Sequence, residues 1–212
     1  KVYTTWVDDM YMGLPYLILA AKYTDDPELK KQLFDDAASQ ILSFNKEVWD
    51  EKAQLYQHAQ YSEQKVKMPH WSRANGWGIW AVTEVLKELP ENHPKYKTIL
   101  KHYRHHVESL VRYQEPDGFW RNVLDVKESV KETSGTAIFT MAIARGINEG
   151  WLKRKDYEQV VLKGWSALDS VIEGDGTVRG ICMGPIVDDD SHGMLGLIMA
   201  GIEVQKMIDK TK

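Results

Sequence analysis

The feature that most constrains this chain is an alternation between two kinds of helical segment. Four stretches, Asp9 to Tyr23, Arg73 to Leu89, Glu132 to Gly150 and Asp190 to Met207, are apolar, rich in small residues and poor in charge after the first turn. Helices that are apolar nearly all round are buried ones. Between them lie amphipathic, charge-rich stretches, Pro27 to Lys46, Lys95 to Tyr113 and Lys155 to Ile172. Pro27 and Pro94 suit helix entry, where a proline loses no needed hydrogen bond. Each charged stretch is followed by a short turn-bearing segment: 49–56, then 115–120 with Asp117-Gly118, then 174–178 with Asp175-Gly176. Asp-Gly between apolar residues marks a tight turn or small hairpin. The unit of buried helix, exposed helix and turn recurs roughly every 55 to 70 residues. Alternating inner and outer helices describe an α/α toroid, whose inner helices run the same way and bring their N-termini to one mouth. The expected fold is therefore all-α, an incomplete (α/α)6 toroid with about seven helices against twelve in a closed ring. Residues 1–212 are expected to be the C-terminal larger part of one barrel domain whose N-terminal hairpins are missing. Self-association through the apolar open edge follows as a further expectation.

Composition removes several function classes. A formal charge of -4 disfavours a nucleic-acid surface. No apolar run approaches the roughly 20 residues of a membrane helix, so no membrane partner is expected. One cysteine, Cys182, forbids an intramolecular disulfide framework and any zinc site of paired cysteines. Gly135-Thr136-Ala137 lacks the lysine of a phosphate-binding loop, and no Gly-x-Ser-x-Gly elbow is present. The 8 Trp and 10 Tyr are the unusual part, because flat aromatic faces serve carbohydrate sites as well as cores.

The residues that open the inner helices carry the chemistry. Trp6-Val7-Asp8-Asp9-Met10-Tyr11-Met12 places two carboxylates at the first. One is expected to cap the helix, leaving the other in the mouth, where aromatic neighbours desolvate it and favour a general acid. In His70-Trp71-Ser72-Arg73-Ala74-Asn75-Gly76-Trp77, Arg73 and Trp77 share a helix face. A guanidinium fork beside an indole suits a sugar acid, although Arg73 paired with a structural carboxylate fits the same pattern. His58 lies in the preceding loop, as a mouth residue or an ordinary surface one. Asp188, Asp189 and Asp190 lack the spaced ligands of a calcium loop and read as an N-cap cluster, with His192 beside them as a candidate substrate contact. His102, His105 and His106 fall on one face of an outer helix among Lys101, Arg104 and Arg112, and read as a solvated cationic face and not a metal site. Met10, Met12, Met141, Met194 and Met199 read as core filler.

Trp6-Val7-Asp8-Asp9-Met10-Tyr11-Met12, Trp71-Ser72-Arg73-Ala74-Asn75-Gly76-Trp77 and Glu132-Thr133-Ser134-Gly135-Thr136-Ala137 together resemble the unsaturated rhamnogalacturonyl hydrolases, glycoside hydrolase family 105. The similarity runs in order through nearly the whole chain, and the first two motifs are the specific ones. The resemblance implies an (α/α)6 barrel that needs no metal or other cofactor. It implies removal of a Δ4,5-unsaturated galacturonyl residue from the non-reducing end of pectin oligosaccharides. An aspartic acid protonates the C4=C5 vinyl ether, water adds at C5, and the hemiketal opens to release the aglycone. The usual pair of carboxylates about a glycosidic bond is not used. Carried over residue by residue, the catalytic acid is Asp8, with Asp9 as the fallback, and His58, Arg73 and Trp77 hold the uronate; Asp9, Trp71 and His192 complete the candidate substrate contacts. The family has a further active-site Asp upstream of the Trp-x-Asp motif, in a region without a counterpart here.

Three other readings compete. Unsaturated glucuronyl hydrolases of family 88 share the implied fold and chemistry and differ in the next sugar. A catalytically silent sugar-binding toroid has no reason to keep Asp8, Arg73 and Trp77 at one mouth. A sugar epimerase would be expected to use paired histidines, for which only His58 and His192 are placed.

Overall fold

The charge-poor segments become inner helices and the charge-rich ones pack outside them. The computed structural model describes residues 4–63, 68–182, 186–188 and 190–210, without the side chains of Cys182, Ile186 and His192. Among these the inner helices are α1 (Asp8–Tyr23), α3 (Ser72–Glu88), α5 (Thr133–Asn148) and α7 (Ser191–Asp209). The outer ones are α2 (Pro27–Val48), α4 (Tyr96–Arg112) and α6 (Arg154–Asp169). Inner helices touch in sequence, α1 with α3, α3 with α5, and α5 with α7, and each of α1, α3 and α5 also packs on the outer helix that follows it. The result is an arc of an α/α toroid.

Local chemistry sets the boundaries. Asp26 caps α2 by accepting from the Glu28 and Leu29 amides at 2.9 and 3.2 Å, with Pro27 in the first turn. Glu132 caps α5 with its buried carboxylate, taking the Ser134 and Gly135 amides at 2.8 and 2.6 Å. The core runs the length of α3 and α5, which are buried on nearly every face. Gly135 makes their crossing possible, because a methyl there would run into Ser72 Oγ and Glu132 Oε1.

Among the described residues the connections contain four small antiparallel strand pairs: β1 (Thr4–Trp6) with β4 (Ala59–Tyr61), β2 (Trp49–Asp50) with β3 (Leu55–Tyr56), β5 (Trp120–Arg121) with β6 (Lys131–Glu132), and β7 (Ile181–Cys182) with β8 (Ile186–Val187). The expected Asp-Gly turns are present, with Gly118 and Gly176 at φ +94 and +91. At the two ends of the arc, α1 exposes Met12, Tyr16, Leu19 and Tyr23, and α7 exposes Leu195, Ile198 and Ile202. Met12 is thus a surface residue and not core filler, because among the described residues no helix packs on the face it occupies. Among the described residues, no helix is long and apolar enough to cross a membrane.

The histidine face of α4 differs from the sequence expectation. His106 is 1% exposed, and its Nε2 donates to Asn75 Oδ1 at 3.1 Å. His102 Nε2 lies 2.8 Å from the Tyr56 hydroxyl, which donates to Asn45 Oδ1 at 2.6 Å. Both rings pack edge-on against Trp49. Burial, helped by neighbouring His105, holds His102 down to about 4, and burial holds His106 well below the usual histidine range. They are neutral core groups, because β2 and β3 fold over this face of α4 and exclude water. Asn75 shows why an amide sits in the second motif. It accepts the Tyr56 amide at 2.8 Å and donates to the Tyr56 and Trp71 carbonyls at 2.9 and 3.0 Å, which fills its bonding capacity together with His106.

Candidate active site

The mouth is built where the β1–β4 pair meets the start of α3. Trp6 pairs with Ala59, and the Val7 amide donates to the His58 carbonyl at 3.1 Å, which fixes His58 against the first turn of α1. The His58 amide in turn donates to the Pro69 carbonyl at 3.1 Å, so the same loop is tied to the approach to α3. Residues about 50 positions apart become neighbours through the first two of these contacts.

Asp8 and Asp9 occupy the first turn of α1, where the helix dipole favours negative charge. The expected side-chain cap is absent: the N-cap residue is Val7, and neither Asp closes the terminus through its carboxylate. Asp9 is exposed. Asp8 instead faces His58, with Oδ2 3.3 Å from Nε2. The contact is not aligned as a hydrogen bond. Asp8 Oδ2 is shielded from solvent and has no hydrogen-bond partner among the described residues. A shielded carboxylate oxygen left unbonded is costly.

An unbroken run of ring contacts leads from Asp8 to Arg73. The His58 ring meets Trp6 edge-on at 4.7 Å and lies tilted against Trp71 at 4.7 Å. The Arg73 guanidinium lies over the Trp71 ring at 4.5 Å, within cation–π range. Trp71 is held by its indole N–H, which donates to Asn122 Oδ1 at 2.8 Å. Arg73 is 5% exposed and lies close enough to Glu132 to act on its charge. Burial pushes the Glu132 carboxyl up, against the pull of Ser134, Gly135, Ser72 and Arg73. Both sequence readings of Arg73 therefore have a physical basis: it neighbours a structural carboxylate and it borders the mouth.

The structure brings together Asp8, His58, Trp71 and Arg73. Trp77 goes elsewhere: it is 4% exposed, stacked on Tyr11 at 4.9 Å and Trp80 at 5.9 Å. The Arg73–Trp77 pairing expected from their four-residue spacing is replaced by Arg73 over Trp71, because the helix face carrying Trp77 is covered by α1. The His192 side chain and Asp189 lie outside the described residues. Asp188 binds the Gly180 amide and Arg179, both at 2.9 Å, so it secures the β7–β8 region and does not cap α7. The sequence reading passed over His70, Asn122 and Asp125. Asn122 and Asp125 lie some 50 residues from the motif they support, and no local spacing marks them. The described residues hold no cluster of three metal-ligating side chains.

A family model described as Glycosyl Hydrolase Family 88 matches residues 1–208. The chain belongs to that family. An unsaturated 3S-rhamnoglycuronyl hydrolase of Alteromonas sp. (strain LOR) is 30% identical over 94% of this chain and 50% of its own length. The unsaturated rhamnogalacturonyl hydrolase YesR of Bacillus subtilis (strain 168) is 25% identical over 89% of this chain and 52% of its own. The chain thus spans about half the length of these curated relatives. Among solved structures, a glycosyl hydrolase family 88 protein from Bacteroides vulgatus superposes with a TM-score of 0.81 at 26% identity, over 95% of this chain and 62% of that one. The family 88 toroid accounts for the inner-helix arc and for the meeting of helix N-termini at one mouth.

Proposed function

We propose that this chain carries the proton-donor side of a glycoside hydrolase that removes Δ4,5-unsaturated galacturonyl residues from rhamnogalacturonan oligosaccharides. The observation that carries the reading is the shielded Oδ2 of Asp8, without a hydrogen-bond partner among the described residues, beside a His58 ring that is itself packed against the Trp6 and Trp71 indoles. In this reading protonated Asp8 delivers its proton to C4 of the vinyl ether, and positive charge develops at C5. Water adds at C5 and returns a proton to the Asp8 carboxylate, so the acid is regenerated. The hemiketal opens by cleaving the bond from C5 to the ring oxygen, and the hemiacetal left at C1 expels the aglycone as an alcohol. His58 holds the carboxylate in place, Arg73 meets the uronate carboxylate, and Trp71 sets the plane of the guanidinium. Asp9, exposed one residue on, is the alternative acid.

The test is direct. Conversion of an unsaturated rhamnogalacturonan disaccharide removes the ultraviolet absorbance of the C4=C5 bond, and Asp8→Asn should stop that loss. Wild-type protein that leaves the absorbance unchanged refutes the reading. A second substrate deserves the same assay, because the relative at 30% identity is named for a 3S-rhamnoglycuronyl unit. A higher kcat/KM on that substrate than on the rhamnogalacturonan disaccharide would move the assignment of the next sugar.

A further inference from the structure

His70 is 3% exposed and stands with a carboxylate beside each ring nitrogen. Its Nδ1 donates to Asp125 Oδ2 at 2.7 Å, and its Nε2 lies 3.5 Å from Asp50 Oδ2 without a hydrogen-bond partner among the described residues. The two carboxylates come from separate loops. Asp50 belongs to β2, where its Oδ1 takes the Lys52 and Ala53 amides at 2.9 and 3.0 Å and shapes the turn into β3, which leads to His58. Asp125 follows β5, in the loop whose Asn122 holds the Trp71 indole. Around His70 the backbone repeats the connection to the Asp125 loop. The His70 carbonyl accepts from the Leu124 amide at 3.1 Å, the Asn122 carbonyl from the Ser72 amide at 2.8 Å, and Trp71 bridges to Val123.

We propose that His70 is a positioning residue for the mouth, clamping the loops that carry His58, Trp71 and the support of Trp71 into one register. The proposal rests on the hydrolase reading of this site. An imidazole is suited to the task because its two nitrogens point apart on one rigid ring, so one side chain reaches two loops. Asp125 is 37% exposed at its side chain, so its removal tests the clamp without opening the core.

The experiment compares wild type with Asp125→Ala, His70→Gln and His70→Asn. The asparagine keeps an N–H near the Nδ1 position, and the glutamine places it near Nε2. Two readouts are taken: KM and kcat on the unsaturated disaccharide, and hydrogen exchange at the amides of His58, Ser72 and Leu124. A misplaced binding group costs about tenfold or more, so Asp125→Ala and His70→Gln should raise KM about tenfold, with kcat changed less. Exchange at the three amides should quicken in both variants, and His70→Asn should recover most of each effect. Unchanged exchange in Asp125→Ala overturns the clamp, whether or not the protein turns substrate over. Quickened exchange with KM unchanged overturns the positioning role and leaves a purely structural one. Wild type without turnover, but with the exchange pattern intact, refutes the hydrolase reading and not the clamp.

Discussion

Arg73→Lys separates binding from stability at the centre of the candidate site. The guanidinium lies 4.5 Å from the Trp71 ring centroid, and the residue is only 5% exposed. A desolvated cation–π contact contributes up to about 2 kcal/mol. Lysine keeps the positive charge near Glu132 but replaces a flat, weakly hydrated group with a compact, strongly hydrated one. The net loss of stability should be about 1–2 kcal/mol, which for a chain of this size lowers Tm by roughly 2–8 °C. Substrate binding should suffer separately, because a single ammonium cannot grip a carboxylate with two parallel N–H groups. A lost charge-assisted hydrogen bond is worth about 1.5–3 kcal/mol, so KM should rise on the order of tenfold or more. Far-ultraviolet circular dichroism gives Tm, and the vinyl-ether absorbance assay gives KM on the same preparation. A Tm within about one degree of wild type would refute the argument from the Arg73–Trp71 stack. A clear drop in Tm with KM unchanged would remove Arg73 from the site and leave it as the partner of Glu132.

Asp8→Asn should lower kcat by roughly 10²–10⁴ with KM little changed, since the amide keeps the size of the acid but cannot donate the proton. If Asp9→Asn is the damaging variant instead, the acid lies one residue on. Gly135→Ala forces a methyl against Ser72 and Glu132 and should destabilise by about 1–3 kcal/mol; an unchanged Tm would contradict the close α3–α5 crossing. Stability should also fall in mild acid. The folded His102 is held at about 4 against roughly 6.5 when unfolded. The unfolded chain therefore binds more protons between those values, and stability present above pH 6.5 is lost as pH falls toward 4. His102 alone contributes up to roughly 3 kcal/mol of that loss, and His106 acts in the same direction. Comparing Tm at two pH values on either side of 6.5 for wild type and His102→Gln checks this, since the variant should show the shallower dependence.

The alternation of charge-poor and charge-rich helices was legible in the sequence because burial all round and burial on one stripe leave different residue patterns. That contrast alone placed α1, α3, α5 and α7 inside and α2, α4 and α6 outside, with every boundary within three residues of the structure. The helix-start residues Asp8, Trp71 and Arg73 were readable for the same reason, since helix starts in such a fold converge on one mouth. What Arg73 faces was not. Spacing along α3 offered Trp77, but α1 covers that ring, and only the three-dimensional packing turns the guanidinium over Trp71. Histidines 102 and 106 carry the same lesson. Their lysine and arginine neighbours suggest a wet face, and the β2–β3 hairpin that dries it comes from a segment some 50 residues earlier. His70 shows the limit most clearly, because its two carboxylates lie 20 and 55 residues away on different loops. A helix pattern is written locally, in the period of its own side chains. A contact between loops depends on how the whole arc closes, and only the tertiary structure decides that.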